Sequence, residues 1–128
     1  MTHRFTMRVY YEDTDMAGIV YYANYLRFIE RARSDWVREM GIDQLAMKAD
    51  GVVFAVRRIE ADYLATAQFD DVLDVRTTPG AMTPARMVMG QEVWRRETCL
   101  FRASVTIVCI GAGGKPARLP AKLRSMPT

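Results

Sequence analysis

The chain has 128 residues, half of them hydrophobic and 26% charged, which is usual for a soluble domain. Its length predicts one domain over residues 1–128, and its net charge of +3 comes without the clustered Lys and Arg of a nucleic-acid-binding face. No stretch approaches the roughly 18 apolar residues of a membrane-spanning helix, and the N-terminus lacks a signal-peptide core. Cys99 and Cys109 are expected to be reduced. Together these features predict a cytoplasmic protein that neither enters a membrane nor binds nucleic acid.

Hydrophobic spacing predicts the elements of the first half of the chain. Alternation of apolar and polar residues predicts a half-buried strand over residues 4–11. From Tyr22 to Met40 the apolar residues recur at helical spacing, which predicts one long helix with a wide apolar stripe. Gly41 is placed to end that helix. Residues 43–50 are expected to form a short helix or a loop.

The second half of the chain has the pattern of consecutive strands. Pro79-Gly80 predicts a turn, Gly111 to Gly114 predict a hairpin loop, and residues 119–126 predict one or two helical turns. Short connections imply antiparallel pairing, so the predicted fold class is α+β, with one long helix against one antiparallel sheet. Alternating or β-branched residues place the strands over 52–64, 71–78, 86–95 and 100–110.

Three carboxylates, Glu12, Asp13 and Asp15, precede the long helix and are followed by Gly18. A carboxylate at a helix N-terminus lies beside unpaired N–H groups and a partial positive charge, which suits a base or nucleophile next to a developing oxyanion. The same residues also suit an Asx turn or a helix cap. Their mutual repulsion and the surrounding tyrosines favour a site, but the spacing leaves both interpretations open.

Other motifs fit less well. The segment from Asp13 begins like a calcium-binding loop, but its twelfth position is Asn24 and not Glu, so no metal site is predicted. The glycine loop lacks the Ser or Thr that follows Lys in a phosphate-binding loop. The one histidine, His3, is expected near a frayed terminus, where it is poorly placed to activate a nucleophile. The chemistry is thereby restricted to carboxylates, hydroxyls and backbone dipoles.

Glu30 lies in the middle of the predicted helix, between its apolar and polar faces. Arg27, Arg33 and Ser34 are three or four residues away, so a solvated ion pair is the expected role of Glu30. A role as a site residue is the alternative.

From Tyr11 to Tyr25, and again over Glu30-Arg31-Ala32-Arg33, the sequence closely resembles the hotdog-fold acyl-CoA thioesterases. The branch that it resembles most is the bacterial thioesterase associated with the Tol-Pal envelope system, and 4-hydroxybenzoyl-CoA thioesterases share the Asp-x-Asp-x-x-Gly-Ile-Val pattern. The resemblance implies a curved antiparallel sheet wrapped around one long helix, and subunits that pair into dimers of dimers. It implies hydrolysis of acyl-CoA without a cofactor, since CoA is part of the substrate, and adds acyl carrier protein as a candidate partner.

The resemblance also assigns roles within the acidic segment. Asp15 is implied to be the catalytic carboxylate, acting on the thioester carbonyl as a nucleophile or by activating water. The backbone N–H of Tyr22 is implied to polarise the carbonyl oxygen, and Gly18 to let the backbone approach the substrate. Glu12 and Asp13 are then expected to support the turn. The Tol-Pal-associated branch usually has His where this chain has Tyr22, a change that keeps the backbone donor.

The remaining candidates concern substrate binding. CoA carries several phosphates and is expected to meet basic residues, for which Arg57, Arg58, Arg86 and Lys115 are candidates by position and charge. Tyr25 and Glu30 are the candidates for contact with the rest of the substrate.

Two other functions compete with hydrolysis. A hotdog dehydratase normally uses an active-site histidine, and His3 as the lone histidine argues against it. A non-catalytic module that binds acyl-CoA, acyl carrier protein or envelope proteins is disfavoured by the intact Asp15 and Gly18.

Overall fold

A computed structural model describes residues 1–126, and the last two residues of the predicted domain, Pro127 and Thr128, lie outside this range. The described chain contains an antiparallel sheet and one long helix, as the spacing of apolar residues predicts. The helices are α1 (Asn24–Glu39), α2 (Gln44–Ala49) and α3 (Ala121–Arg124). The strands are β1 (His3–Arg8), β2 (Val53–Tyr63), β3 (Val72–Met82), β4 (Arg86–Arg95), β5 (Thr98–Ile110) and β6 (Pro116–Ala117).

The sheet has the strand order β1-β3-β4-β5-β2, with β6 paired to the end of β5. Consecutive strands β3, β4 and β5 are neighbours, as short connections require. Strand β2 instead pairs with β5, at the opposite edge of the sheet from β1. The chain therefore crosses the whole sheet between β1 and β2, and passes back over β5 and β4 to reach β3.

Helix α1 packs against β3, β4 and β1 through its apolar stripe. It starts two residues later than predicted because Tyr22 and Ala23 form a turn, and it ends where Gly41 adopts a left-handed φ of 82°. The stripe packs on one face of the sheet, where buried side chains of β3, β4 and β5 alternate with more exposed ones on the opposite face. The buried residues of the stripe are Tyr25, Phe28, Ile29, Ala32, Trp36 and Val37.

The turn predicted at Pro79-Gly80 is wrong. Both residues lie inside β3, where the register against β4 shifts between Pro79 and Met82. Such an irregularity tolerates a proline, which cannot donate to the ladder. The chain reverses just beyond, where the Thr83 hydroxyl accepts from the N–H groups of Ala85 and Arg86.

The frayed position predicted for His3 is also wrong. His3 is paired with Thr77 of β3, and only 7% of its side chain is exposed. Its Nε2 lies 2.9 Å from a carboxylate oxygen of Asp35 and 2.8 Å from one of Glu39. These bonds join β1 to the last turns of α1, and a sequence pattern cannot show a contact between residues so far apart in the chain.

None of the helices within residues 1–126 is long and apolar enough to cross a membrane.

Candidate functional site

The acidic segment forms a tight turn between a short 3-10 helix (Tyr11–Asp13) and α1. The N–H of Asp15 donates to the carbonyl of Ile19 at 2.9 Å, and the N–H of Gly18 donates to the carbonyl of Asp15 at 3.0 Å. Gly18 has a φ of 79°, a conformation that costs a residue with a Cβ atom but not glycine. The sequence predicted this turn correctly, because the glycine and the flanking carboxylates are local signals.

The Asp15 side chain is exposed at the tip of this turn. Its Oδ1 accepts from the N–H of Ala17 at 2.9 Å, which fixes the carboxylate against the backbone. Its Oδ2 has no hydrogen-bond partner within residues 1–126. One oxygen is therefore held and the other is available to a substrate or a water molecule.

Asp13 has a different environment from Asp15. Its side chain is buried, and its Oδ2 accepts from the N–H of Tyr10 at 2.8 Å. Its carbonyl accepts from the N–H of Tyr21 and from the side-chain Nδ2 of Asn24, both at 2.9 Å. Asp13 therefore ties the acidic turn to the start of α1, which agrees with the support predicted for it.

Glu12, unlike Asp13, does not tie the turn to its surroundings. It is exposed, and its side chain makes no hydrogen bond or ion pair with any residue that the structure describes. The support predicted for Glu12 is not present in the structure.

The backbone at Tyr22 is held on both sides while its own N–H remains free. The carbonyl of Tyr21 accepts from the N–H of Asn24 at 2.8 Å, and the carbonyl of Tyr22 accepts from the hydroxyl of Tyr63 at 3.0 Å. The Tyr22 N–H has no hydrogen-bond partner in the described part of the chain. A free, fixed N–H just before a helix is a donor that lies beside the partial positive charge of the helix N-terminus.

An aromatic cluster lies beneath this donor. The ring of Tyr63 lies edge-on to Tyr22, Tyr25 and Phe101, with ring centroids 6.2, 5.6 and 5.0 Å apart. Tyr25 is 3% exposed and stacks on Phe101. The Tyr25 hydroxyl accepts from the N–H of Ala67 at 3.2 Å, and burial raises the pKa of this hydroxyl above its usual value. Tyr25 thus lies in the core of the subunit, and its predicted contact with substrate stays a prediction.

Glu30 lies eight residues beyond Tyr22, about 12 Å along the helix at 1.5 Å per residue. Its Oε1 accepts from the Ser34 hydroxyl at 2.8 Å, so it has one of the helical partners expected from its spacing. It also lines a cavity of about 210 Å³ between α1 and the sheet. The other lining residues include the apolar Phe54, Val56, Met87, Met89 and Ile107.

A part-buried cation, Arg33, also lines this cavity. Its Nη1 donates to Gln91 Oε1 at 2.8 Å, and Gln91 is itself buried and donates to the carbonyl of Ile29. Burial lowers the pKa of the Arg33 guanidinium from its usual value, and the charge of Glu30 opposes that shift. The cavity is therefore apolar on its sheet side, whereas α1 borders it with polar residues and with the apolar Trp36 and Val37.

The basic candidates lie apart from the acidic turn. Arg58 is opposite Thr106 and Arg86 is opposite Val108, so both point away from α1. Arg58 forms an ion pair with Glu60, and Arg57 lies at the bulge of β2. All three arginines are exposed, and none has a hydrogen bond to the turn among residues 1–126. Lys115, also exposed, lies just before β6.

The carboxylates of the acidic turn do not converge as metal ligands would, since those of Asp13 and Asp15 bind different backbone N–H groups. In the described residues, ligand atoms of His, Cys, Asp or Glu come close enough for a cation only at His3, Asp35 and Glu39. Asp35 lies thirteen residues beyond Tyr22, or about 20 Å along α1, so this group is remote from the turn.

The sequence does not predict the part that two residues play in the site. Asn24 bridges to Asp13, and Tyr63 bridges to Tyr22 from a strand that lies 41 positions away in the chain. The sequence pattern gives Asn24 no role beyond its place where a calcium-binding loop has Glu. No local pattern marks Tyr63, because its contact depends on the pairing of β2 with β5.

Comparison with known proteins agrees with this geometry. The profile of the thioesterase-like superfamily matches residues 9–126. The acyl-CoA thioester hydrolase YbgC of Escherichia coli (strain CFT073) is 39% identical over 122 residues, which cover 94% of this chain and 91% of that protein. YbgC of Haemophilus influenzae, an acyl-CoA thioesterase, is 35% identical over 94% of this chain and 90% of that protein.

The crystal structure of a probable thioesterase from Bartonella henselae superimposes with a TM-score of 0.89 and is 38% identical. That alignment covers 94% of this chain and all of the Bartonella chain. The helix, the antiparallel sheet and the sequence together confirm the resemblance inferred from the acidic segment. The chain belongs to the thioesterase-like superfamily, and it is an enzyme of the hotdog fold.

Proposed function

We propose that this protein hydrolyses acyl-CoA thioesters to a carboxylic acid and free CoA at the turn formed by Asp15, Gly18 and Tyr22. The free N–H of Tyr22 donates to the thioester carbonyl oxygen, whose negative charge grows as the carbonyl carbon becomes tetrahedral. Asp15 acts through its unpaired Oδ2, either by attacking the carbonyl carbon or by taking a proton from an attacking water. The C–S bond then breaks, and the thiolate leaves and takes up a proton. If Asp15 attacks directly, water then hydrolyses the acyl anhydride formed on Asp15, so that either route consumes one water and restores the carboxylate.

The observation that carries this proposal is the pairing of an unpartnered carboxylate oxygen with an unpartnered backbone donor on one hydrogen-bonded turn. The Asp13 carbonyl connects the two parts, since it accepts from Tyr21 and Asn24 on either side of Tyr22. A fixed donor of this kind stabilises charge without the cost of reorienting solvent. The names of the YbgC relatives supply the substrate class. No cofactor is needed for these steps.

The substrate's acyl group is proposed to lie in the cavity bordered by Glu30. Its volume in a single subunit is about 210 Å³. The cavity opens at β2, and α1 covers β1, β3 and β4 instead of this edge. Val56, Ile59 and Tyr63 of β2 are consequently exposed although they share the helix-facing side of the sheet.

We therefore infer that a second copy of the chain covers β2. Edge strands with exposed apolar side chains are prone to pair with another chain. Pairing at β2 would bring the cavity of one subunit against the other and would extend the sheet across the dimer. Two such dimers would form the tetramer that the resemblance implies. Arg57, Arg58 and Arg86 are the proposed contacts of the CoA phosphates, and Tyr25 and Glu30 remain the candidates nearer the acyl group.

The test is thiol release from a panel of short aliphatic, long aliphatic and aromatic acyl-CoAs. Asp15→Asn keeps the shape of the side chain and removes its basicity, so kcat/KM should fall by about 10²–10⁴-fold, the usual range for loss of a general base. The matched control is Glu97→Gln, which makes the same change in an exposed turn and should leave turnover as in the wild type. Full turnover by Asp15→Asn would sink the assignment.

The same panel separates the other functions. Acyl-CoA binding without thiol release would favour a binding module, and alkene formation from a 3-hydroxyacyl-CoA would favour a dehydratase. An acyl carrier protein partner, association with the Tol-Pal system and a cytoplasmic location rest on the sequence alone and stay predictions.

A further inference from the structure

We propose that Tyr63 is a positioning residue for the proposed hydrolysis, because its hydroxyl holds the backbone of Tyr22 in place as the oxyanion donor. Tyr63 itself does not touch the reacting atoms. The inference rests on the proposed function, since it assigns to Tyr63 the orientation of the donor used there.

The contact is specific. The hydroxyl of Tyr63, the last residue of β2, donates to the carbonyl of Tyr22 at 3.0 Å. On the other side of Tyr22, the carbonyl of Tyr21 accepts from the N–H of Asn24 at 2.8 Å. Both peptide planes that flank Tyr22 are thereby fixed. The Tyr22 N–H lies in the first of these planes, and the bond from Tyr63 fixes the second. The φ and ψ angles that join the two planes at Tyr22 are therefore restrained from both sides.

Among residues 1–126, Tyr63 provides the one hydrogen bond to the Tyr22 carbonyl. Residues 22 and 23 precede the first helical residue, so Tyr22 lies outside the regular hydrogen-bond ladder of α1. The Tyr22 side chain is 61% exposed and does not anchor the residue by burial. The hydrogen bond from Tyr63 also polarises the peptide group between Tyr22 and Ala23. The Ala23 N–H becomes more positive, which adds to the partial positive charge at the start of α1.

Tyr63 is itself well held. Its ring lies edge-on against the buried Phe101 at 5.0 Å and against Tyr25 at 5.6 Å. Partial burial raises the pKa of the Tyr63 hydroxyl above its usual value, and the nearby Tyr22 hydroxyl contributes a smaller increase. The group therefore remains protonated, and remains a donor, at every pH where a thioesterase is ordinarily assayed.

Tyr63→Phe is the decisive variant, since it removes the hydroxyl and keeps the ring in its cluster. A donor that acts on the tetrahedral oxyanion contributes to kcat more than to KM. We expect kcat to fall about threefold to tenfold, which corresponds to roughly 0.7–1.4 kcal/mol and to one net hydrogen bond. KM should stay within about twofold. Tyr11→Phe is the matched control, because Tyr11 is 81% exposed and its hydroxyl has no partner within residues 1–126.

A second probe distinguishes positioning from contact with the substrate. An S-alkyl-CoA thioether has no carbonyl oxygen, so its Kd does not depend on the oxyanion donor. This Kd should be the same for Tyr63→Phe and wild type. Weakening of thioether binding in proportion to the loss of kcat would show that Tyr63 shapes or contacts the pocket and would overturn the proposal. An unchanged kcat would overturn it as well.

Amide NMR provides a readout that does not require turnover. In Tyr63→Phe the amide signals of Tyr22 and Ala23 should shift, and the Tyr22 N–H should exchange with solvent at a changed rate. Absence of acyl-CoA turnover in the wild type would remove the proposed function but would leave this measurement intact. Unchanged signals at Tyr22 and Ala23 would then overturn the positioning role by themselves.

Discussion

Gly18 shows how one residue shapes the acidic turn. Its φ of 79° is left-handed, and a Cβ built there meets nothing within 4 Å, so only backbone conformation restricts the position. Gly18→Ala should lower the free energy of unfolding by about 1 kcal/mol, the lower end of the cost of this conformation for a residue with a Cβ. Thermal unfolding measures the change.

Gly18→Asn is the matched control for that prediction. Asn tolerates the left-handed conformation better than Ala, so its loss of stability should be smaller although its side chain is larger. Equal losses for Ala and Asn would point to crowding by the side chain and would contradict the account based on φ.

Among single residues, the sequence predicts local contacts but not contacts between distant parts of the chain. Asp15, Gly18 and the supporting role of Asp13 could be predicted, because the turn is built from neighbours in the chain. The contact of Tyr63 with Tyr22 could not, since its two ends are 41 positions apart. The sequence equally could not place Tyr25 in the core, because an aromatic residue on a helical stripe suits a core and a binding groove alike.

At the scale of elements, the bonds of His3 join an edge strand to a helix end. His3→Ala should remove the Nε2 donor shared between Asp35 and Glu39, and should lower the free energy of unfolding by about 1.5–3 kcal/mol, the usual range for a hydrogen bond to a charged group. Chemical denaturation measures the loss. His3→Gln supplies two amide donors to Asp35 and Glu39 and should retain part of the stability, whereas equal losses for Ala and Gln would argue against these bonds.

The elements themselves were largely predictable. Periodicity alone placed α1 and the bounds of β4, because a helix or strand with one buried face must carry a repeating apolar pattern. The turn prediction at Pro79-Gly80 is wrong because the pair is only a local turn signal. The hydrogen-bond ladder between β3 and β4 continues past it with a bulge. Pairing at a distance overrides local propensity at such positions.

For the whole molecule, the exposed apolar side of β2 governs assembly. Val56→Asp places a charge on this strip and should shift the protein from dimer or tetramer toward monomer in analytical ultracentrifugation, because a buried unpaired charge is costly. Leu45→Asp is the control, since Leu45 is 80% exposed on α2 and lies off β2. A monomeric wild type, or an assembly indifferent to Val56→Asp, would contradict the inferred interface.

The strand order of the sheet could not be predicted from the spacing of apolar residues. Periodicity identifies which residues face a core, but it does not say which strands are neighbours. Strand β2 could have paired with β3 through a short hairpin, yet β5 is its only partner within the described chain. The uncovered strip on β2, which the second copy is inferred to cover, results from the pairing of β2 with β5.

The pairing of β2 with β5 also sets the order in which the site can appear during synthesis. Tyr63 lies on a strand that pairs only with Thr98–Ile110 among the described strands, so the support of Tyr22 does not exist until about six-sevenths of the 128 residues have been made. The acidic turn lies near the start of the chain, but its backbone donor is held in place only after β5 has been made and has paired with β2. An N-terminal fragment that contains Asp15, Gly18 and Tyr22 would carry the chemical groups without their alignment.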